Sequence, residues 1–154
     1  MMIKRAVERD AARLTAMVRG SRAYEGAYAP MVAGYRVTGD YIRRHRVFLA
    51  ADEEDRLLGF YALVLDPPEL DLMFVADAAQ GTGLGRRLVE HMKEEARAAG
   101  VGSVKVVSHP PSEGFYRKVG AERVGTVAAM PPKITWERPE LVFPIREPAV
   151  CQVG

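Results

Sequence analysis

Two absences in the sequence exclude whole classes of protein. The 154 residues contain a single cysteine, Cys151, so the chain can form neither an intramolecular disulfide nor a cysteine-rich metal site. No apolar run approaches the ~20 residues that a membrane-spanning helix needs. The charged start of the chain, Ile3-Lys4-Arg5, lacks the apolar core of a signal peptide. These features predict a cytoplasmic protein with no metal and no membrane partner.

An excess of one charge is also missing. The chain has 22 Lys and Arg against 20 Asp and Glu, a formal net charge of +2, so composition indicates no nucleic-acid partner. With 48% apolar residues the chain can bury one sizeable core. We therefore predict a single domain over residues 1–147 and a C-terminal tail at 148–154.

The most regular pattern in the chain runs from Glu69 to Gly100. Residues 70–75 alternate with a period of two, which places Leu70, Leu72 and Phe74 together on one face of a predicted strand. From Leu84 onward apolar residues recur at helical spacing, and Gly100 follows them where a glycine commonly ends a helix. The stretch predicts a strand, a loop and an amphipathic helix.

The loop between strand and helix is the main functional clue. It reads Gln80-Gly81-Thr82-Gly83-Leu84-Gly85. Alternate glycines expose backbone N–H groups, and the start of the helix adds its own unpaired N–H groups and positive dipole end. Such a junction can hold a phosphate or pyrophosphate, with Arg86 and Arg87 as additional cations.

The spacing decides among the known phosphate loops. A dinucleotide-binding fingerprint needs Gly-x-Gly-x-x-Gly, and a Walker loop needs Lys-Ser or Lys-Thr after its last glycine; neither is present. A turn that only joins two elements stays an alternative. The remaining pattern, Gln-x-x-Gly-x-Gly after an apolar strand, closely resembles the pyrophosphate loop of the GNAT superfamily, the acyl-CoA-dependent N-acyltransferases.

A second segment carries the same resemblance. Residues 114–121, Gly-Phe-Tyr-Arg-Lys-Val-Gly-Ala, are similar to the Phe-Tyr helix that GNAT proteins place beside the pantetheine arm. The predicted order of elements also agrees: strand, helices, three strands, helix, strand, helix, two strands. The resemblance implies an α/β fold with a mixed, mostly antiparallel sheet of about seven strands, splayed at its centre and flanked by about four helices.

The resemblance also implies an activity and a set of site residues. The expected co-substrate is acetyl-CoA, and the expected role of Tyr116 is that of general acid to the departing sulfur, besides contact with the cofactor. Strand backbone at Met73, Phe74 and Val75 would hold the thioester and pantetheine. The pyrophosphate would lie on Gln80, Gly81, Thr82, Gly83, Leu84, Gly85 and Arg86. Many relatives carry an Asn where this chain has His109-Pro110-Pro111, so that contact must be replaced or missing.

The general base is less defined. Glu69 and Asp71 are expected on one face of the central strand, and Glu69 occupies the position where some GNAT proteins carry a catalytic glutamate. In the alternative, both carboxylates are solvent-facing strand charges, and water chains deprotonate the amine. His91, expected on the polar helix face, and His45, in an arginine run, are poorer candidates. Cys151 lies in the tail with no neighbouring base, which disfavours a covalent acyl carrier.

The expected acceptor is the primary amine of a small molecule, bounded by residues 21–45 and 131–139. Five arginines against two carboxylates between Arg22 and Arg46, together with several tyrosines, favour an amine that carries a carboxylate or an aromatic ring; solvated helix faces are the simpler explanation of the arginines. A protein acceptor and a CoA-binding sensor without turnover are the alternatives. A homodimer is expected from the family.

Overall fold

The computed structural model describes residues 1–132 and 134–145, and these form one sheet with helices on both faces. The strands are Met2–Arg5 (β1), Arg46–Ala51 (β2), Leu57–Leu65 (β3), Pro68–Val75 (β4), Ser103–Val107 (β5), Glu122–Val127 (β6) and Arg138–Pro144 (β7). The α-helices are Ala11–Gly20 (α1), Gly39–Arg44 (α2), Leu84–Ala98 (α3) and Glu113–Lys118 (α4). This order confirms the expected succession of elements. The predicted tail at 148–154, with Cys151, lies outside the described residues.

The sheet is splayed at its centre. Its strand order is β1-β2-β3-β4-β5-β7-β6, and every neighbouring pair is antiparallel except β4 and β5. Within the described strands β4 and β5 meet at one register position, Glu69 opposite Lys105. Beyond it the two strands separate. The mixed, mostly antiparallel α/β fold with splayed central strands is confirmed.

Each face of the sheet buries its own apolar cluster. On one face α3 and α4 pack Leu88, Met92 and Tyr116 against β-strand side chains such as Leu141. On the other, α1 and α2 contribute Leu14, Val18 and Ile42 to a cluster with Phe60 and Phe74. None of the helices in the described part of the chain is long and apolar enough to cross a bilayer.

A β-bulge in β4 changes the faces that simple alternation predicts. Leu72 pairs with Ala62 and Leu70 pairs with Leu63, so Asp71 is an extra residue in β4. Leu70 consequently packs into the α3 cluster, whereas Leu72 and Phe74 pack into the α1 cluster. The prediction of one shared face for the three was wrong, because one inserted residue reverses the alternation beyond it.

The sequence also predicts strands at residues 122–130 and 140–145, and Ser112 as the N-cap of the helix that precedes them. In the structure β6 stops at Val127 and β7 begins at Arg138. Ser112 precedes α4 as expected, but its side chain makes no capping hydrogen bond. The chain reaches α4 through a 3₁₀ turn at Pro110–Ser112 instead.

Candidate active site

The splay between β4 and β5 opens a cavity of about 810 Å³. One end lies at the glycine loop before α3. The other end lies at Glu69, Asp71 and Arg138, and Tyr116 of α4 lines the wall between them. The separation of the strands therefore creates the space that the two sequence motifs enclose.

Gly81, Gly83 and Gly85 of the glycine loop line the cavity. Gly81 and Gly83 have φ of +77° and +83°, a conformation that side-chain-bearing residues disfavour. The first helical bond in α3 runs from Arg87 N–H to the carbonyl of Gly83, at 3.2 Å. The N–H groups of Gly85 and Arg86 precede this bond and have no carbonyl partner within the helix. Free donors at a positive helix end fit a pyrophosphate group.

Side chains around the loop divide into those that face the cavity and those that support the turn. Arg86 lines the cavity, whereas Arg87 does not, which corrects the expectation of two cations at the mouth. Gln80 Nε2 donates to the carbonyl of Val75 at 3.1 Å and ties the loop to β4. Thr82 Oγ1 donates to the carbonyl of Ala79 at 2.6 Å and does not line the cavity.

Strand β4 supplies a half-paired edge. Met73, Phe74 and Val75 pair with β3 residues on one side, and their other side faces the gap left by β5. All three line the cavity. Main-chain donors and acceptors on such an edge can bind an extended amide-bearing arm, as in strand addition. The edge thus fits the pantetheine part of CoA.

Tyr116 lies deep in the cavity wall. The short helix α4 buries it to 8% exposure, and its ring meets Phe143 nearly perpendicularly, with centroids 6.1 Å apart. Burial raises the pKa of its hydroxyl above the usual value, and the nearby Tyr24 raises it further. The hydroxyl therefore keeps its proton at neutral pH and is available as a donor.

Two carboxylates lie at the far end of the cavity. Glu69 is half-buried, and burial raises the pKa of its carboxyl; Lys105 works in the opposite direction, and Asp71 raises it again. Asp71 Oδ2 accepts a hydrogen bond from the hydroxyl of Tyr41. Burial and this bond raise the pKa of Tyr41, so the phenol stays neutral. The two carboxylates thus differ: the carboxylate of Asp71 accepts a hydrogen bond from a phenol, and the carboxyl of Glu69 has a raised pKa.

An aromatic wall that the sequence did not predict closes the side of the cavity. Tyr24 stacks on His109 with centroids 4.1 Å apart and also contacts Phe74 at 5.5 Å. Burial raises the pKa of Tyr24 to about 12. His109 is buried, at 3% exposure. The tyrosine-rich composition of residues 21–45 was the available signal, but stacking across distant segments was not readable from it.

The amino-acid sequence is similar to those of known proteins over much of its length. Residues 31–129, well over half of the chain, match the family model of the acetyltransferase (GNAT) domain. The chain belongs to the GNAT acetyltransferase family. A curated relative, the IAA acetyltransferase of Azospirillum brasilense, is 35% identical over 80 residues, 47% of this chain. The matched part covers 52% of that relative, so this GNAT chain spans about half the length of the curated relative it matches.

Solved structures of other GNAT proteins share the fold. A GNAT family protein from Desulfovibrio desulfuricans superposes with a TM-score of 0.75 at 16% identity, over 94% of this chain and 99% of that one. The protein yncA from Salmonella typhimurium, solved with its cofactor acetyl-CoA, superposes with a TM-score of 0.71 at 17% identity, over 100% of this chain and 99% of that one. At these identities the likeness establishes the fold.

In this GNAT protein every predicted site residue except Thr82 lines the one cavity at the splay. The residues that stand outside it include both histidines considered as bases. His91 is half-buried rather than on the polar face of α3: its Nδ1 lies 2.6 Å from the hydroxyl of Tyr61, and its ring contacts Phe48. His45 packs against Tyr41. The described residues hold no cluster of three or more potential metal ligands.

Proposed function

We propose that this chain transfers an acetyl group from acetyl-CoA to the primary amine of a small molecule by direct attack. The observation that carries the proposal is the single cavity that joins the glycine loop, Tyr116 and Glu69. When bound, the cofactor supplies a thioester carbonyl to the amine. An N–C bond forms, the C–S bond breaks, Glu69 takes the amine proton, and Tyr116 donates a proton to the departing sulfur.

Deprotonation of the amine, which the general base assists, costs free energy, whereas protonation of the departing thiolate does not. An amine with a pKa near 10.4 must lose a proton before it attacks, which costs about 4.6 kcal/mol at pH 7, at 1.36 kcal/mol per unit. Burial raises the pKa of Glu69 toward neutrality, which makes it a better proton acceptor than an exposed carboxylate. Asp71 is already bonded to Tyr41, and we therefore assign the base to Glu69.

The acid contributes less. A thiolate with a pKa near ~8.5, taking cysteine as proxy, is protonated at pH 7 with a gain of about 2 kcal/mol, so the proton transfer is favourable without help. A positioned donor accelerates it within the ~10²–10⁴-fold range of general acid catalysis. The buried hydroxyl of Tyr116, held neutral by its raised pKa, fits this role.

The test combines binding and turnover on one variant. Acetyl-CoA is titrated calorimetrically into the wild type and into Tyr116→Phe, and thiol release is then followed against a panel of small amines. We expect Tyr116→Phe to slow turnover by about tenfold or more while the Kd for acetyl-CoA stays within about twofold of wild type. Tyr61→Phe is the matched control, because it removes another buried hydroxyl, outside the cavity.

Each other result points to a different function. Thiol release with peptides but not with small amines would make the acceptor a protein. Acetyl-CoA binding without release on either panel would leave a CoA-binding sensor. Absence of binding would refute the assignment of the glycine loop. A cytoplasmic location and a homodimer stay predictions, which fractionation and light scattering can check.

A further inference from the structure

The strongest unexplained group in the cavity is Arg138, the first residue of β7. It pairs with Val127 of β6 and lies on the same face of β7 as Glu140, two residues on. Glu140 pairs with Val107, the last residue of β5, so Arg138 lies beyond the end of β5, where the splayed gap is open. Its side chain lines the cavity at the end that holds Glu69 and Asp71.

One nitrogen of the half-buried Arg138 guanidinium lacks the partner that a buried donor calls for. Its Nε is buried and has no hydrogen-bond acceptor among the described residues. The contact it does make, from Nη2 to the thioether of Met130, spans 3.9 Å and involves a weak acceptor. No ion pair of the described part of the chain includes Arg138. A buried donor in this state fits a site whose acceptor arrives with a ligand.

The nearby carboxylates do not supply the missing acceptor for Arg138. The carboxylate of Glu140 forms an ion pair with the ammonium of Lys105 at 3.7 Å. Glu69 is close enough for Arg138 to lower its pKa, but the two are not within ion-pair distance. Asp71 is bonded to Tyr41. The end of the cavity therefore presents two carboxylates on β4 and one uncommitted guanidinium on β7.

We infer that Arg138 binds a carboxylate of the acceptor, so that the acceptor is a small amino acid or a similar amine that carries a carboxylate. This inference rests on the proposed function and names its substrate class. The ammonium group would face Glu69, and the carboxylate would take the planar fork of the guanidinium in a bidentate pair. A polyamine would instead place a second cation beside Arg138, which is repulsive.

The source of this specificity differs from the one the sequence indicated. The arginines between Arg22 and Arg46 do not line the cavity. Arg43 pairs with Glu8 and Asp40, and Arg44 pairs with Asp40, on the surface of the molecule. Arg43 and Arg44 are the solvated helix charges of the simpler explanation, whereas Arg138 is the cation that the described cavity lining places at the end with Glu69 and Asp71.

The experiment compares each standard amino acid with its carboxamide in the thiol-release assay. The amide keeps the amine and the side chain and removes the charge that Arg138 would bind. Its amine is also less basic, which biases the comparison against the inference. We expect kcat/KM for the best free acid to exceed that for its amide by about tenfold or more.

Substitution of Arg138 should abolish that preference. Arg138→Met is expected to lower kcat/KM for the free acid by about 10- to 100-fold, mainly through KM, and to leave the amide within about threefold. Arg138→Lys keeps the positive charge but loses the planar fork of donors. Its kcat/KM for the free acid should therefore lie between those of the wild type and Arg138→Met. Arg44→Met, a surface arginine outside the cavity, is the control and should retain the wild-type preference.

The outcomes separate the inference from the proposed function. Equal turnover of acids and amides by the wild type, or equal loss on both in Arg138→Met, overturns the inference and leaves the transferase intact. Acetyl-CoA binding with no turnover of any amine overturns both. If Arg138→Met fails to fold, the acid-to-amide ratio of the wild type and of Arg138→Lys decides the matter.

Discussion

Replacing Glu69 by glutamine tests the assignment of the general base through pH dependence. Gln keeps the size of the side chain and removes its ability to accept the amine proton. In the wild type, the reactive state pairs ionised Glu69 with the protonated amine, so kcat/KM should be nearly flat between the pKa of Glu69 and that of the amine. In Glu69→Gln the free amine must come from solution, and kcat/KM should rise about tenfold per pH unit.

The size of the effect follows from the same quantities. The deprotonation deficit of about 4.6 kcal/mol at pH 7 is an upper limit on what the base can recover for an amine of pKa near 10.4. General base catalysis usually recovers ~10²–10⁴-fold. We therefore expect Glu69→Gln to lose about two orders of magnitude or more at pH 7, and the loss to shrink steadily toward pH 10.

The assay is thiol release at saturating acetyl-CoA over pH 6–10, with the amine varied. Glu122→Gln serves as the matched control, because Glu122 is exposed on β6 and lies outside the cavity. Asp71→Asn is run beside it, since the amide oxygen can still accept from Tyr41. Parallel pH profiles in wild type and Glu69→Gln, or a larger loss in Asp71→Asn, would refute Glu69 as the base.

Two glycine substitutions test the fold around the site, with Gly20→Ala as a control because a Cβ there meets nothing within 4 Å. A Cβ at Gly59 would lie 2.8 Å from the carbonyl oxygen of Phe74 and 3.2 Å from Leu88. Gly59→Ala should therefore lower the free energy of unfolding, measured in urea, by about 1–3 kcal/mol. An unchanged midpoint of urea unfolding would contradict this packing. A Cβ at Gly83 meets nothing within 4 Å, but alanine would have to adopt φ of +83°, which costs about 1–2 kcal/mol. If acetyl-CoA binding requires this conformation, calorimetry of Gly83→Ala should show an affinity about 5- to 30-fold weaker. Wild-type affinity would show that the loop binds in another conformation.

The parts of the site that the sequence predicted are those set by local chemistry. The glycine loop and the start of α3 depend on residues within a few positions of one another, so their spacing indicates the structure. The place of the Phe-Tyr helix at the site is what the resemblance to GNAT proteins implies. Arg138 could not be found in this way. Its significance comes from a buried Nε without an acceptor at a cavity between separate strands, and the spacing of neighbouring residues contains no information on either.

His91 was misplaced for a related reason. It lies one helical turn from Arg87, Glu94 and Glu95 on α3, so its position in the helix predicts a polar face. Tyr61 and Phe48 of the neighbouring strands draw the ring against the sheet through a hydrogen bond and a ring contact. The side chain of a boundary residue is placed by the partners that tertiary packing brings to it, and helical periodicity contains no information on them.

The β-bulge at Asp71 explains how one strand can serve both ends of the cavity. Before the bulge, Glu69 still pairs with Lys105 across the parallel contact; after it, Met73–Val75 have lost β5 and face the gap. Bulges bend a strand and end its pairing, and they re-aim side chains near active sites. Here a single extra residue ends the ladder, leaves Asp71 to bond Tyr41, and turns Leu72 and Phe74 to the opposite core. The strand that carries the proposed base is thereby also the strand whose unpaired edge faces the cavity.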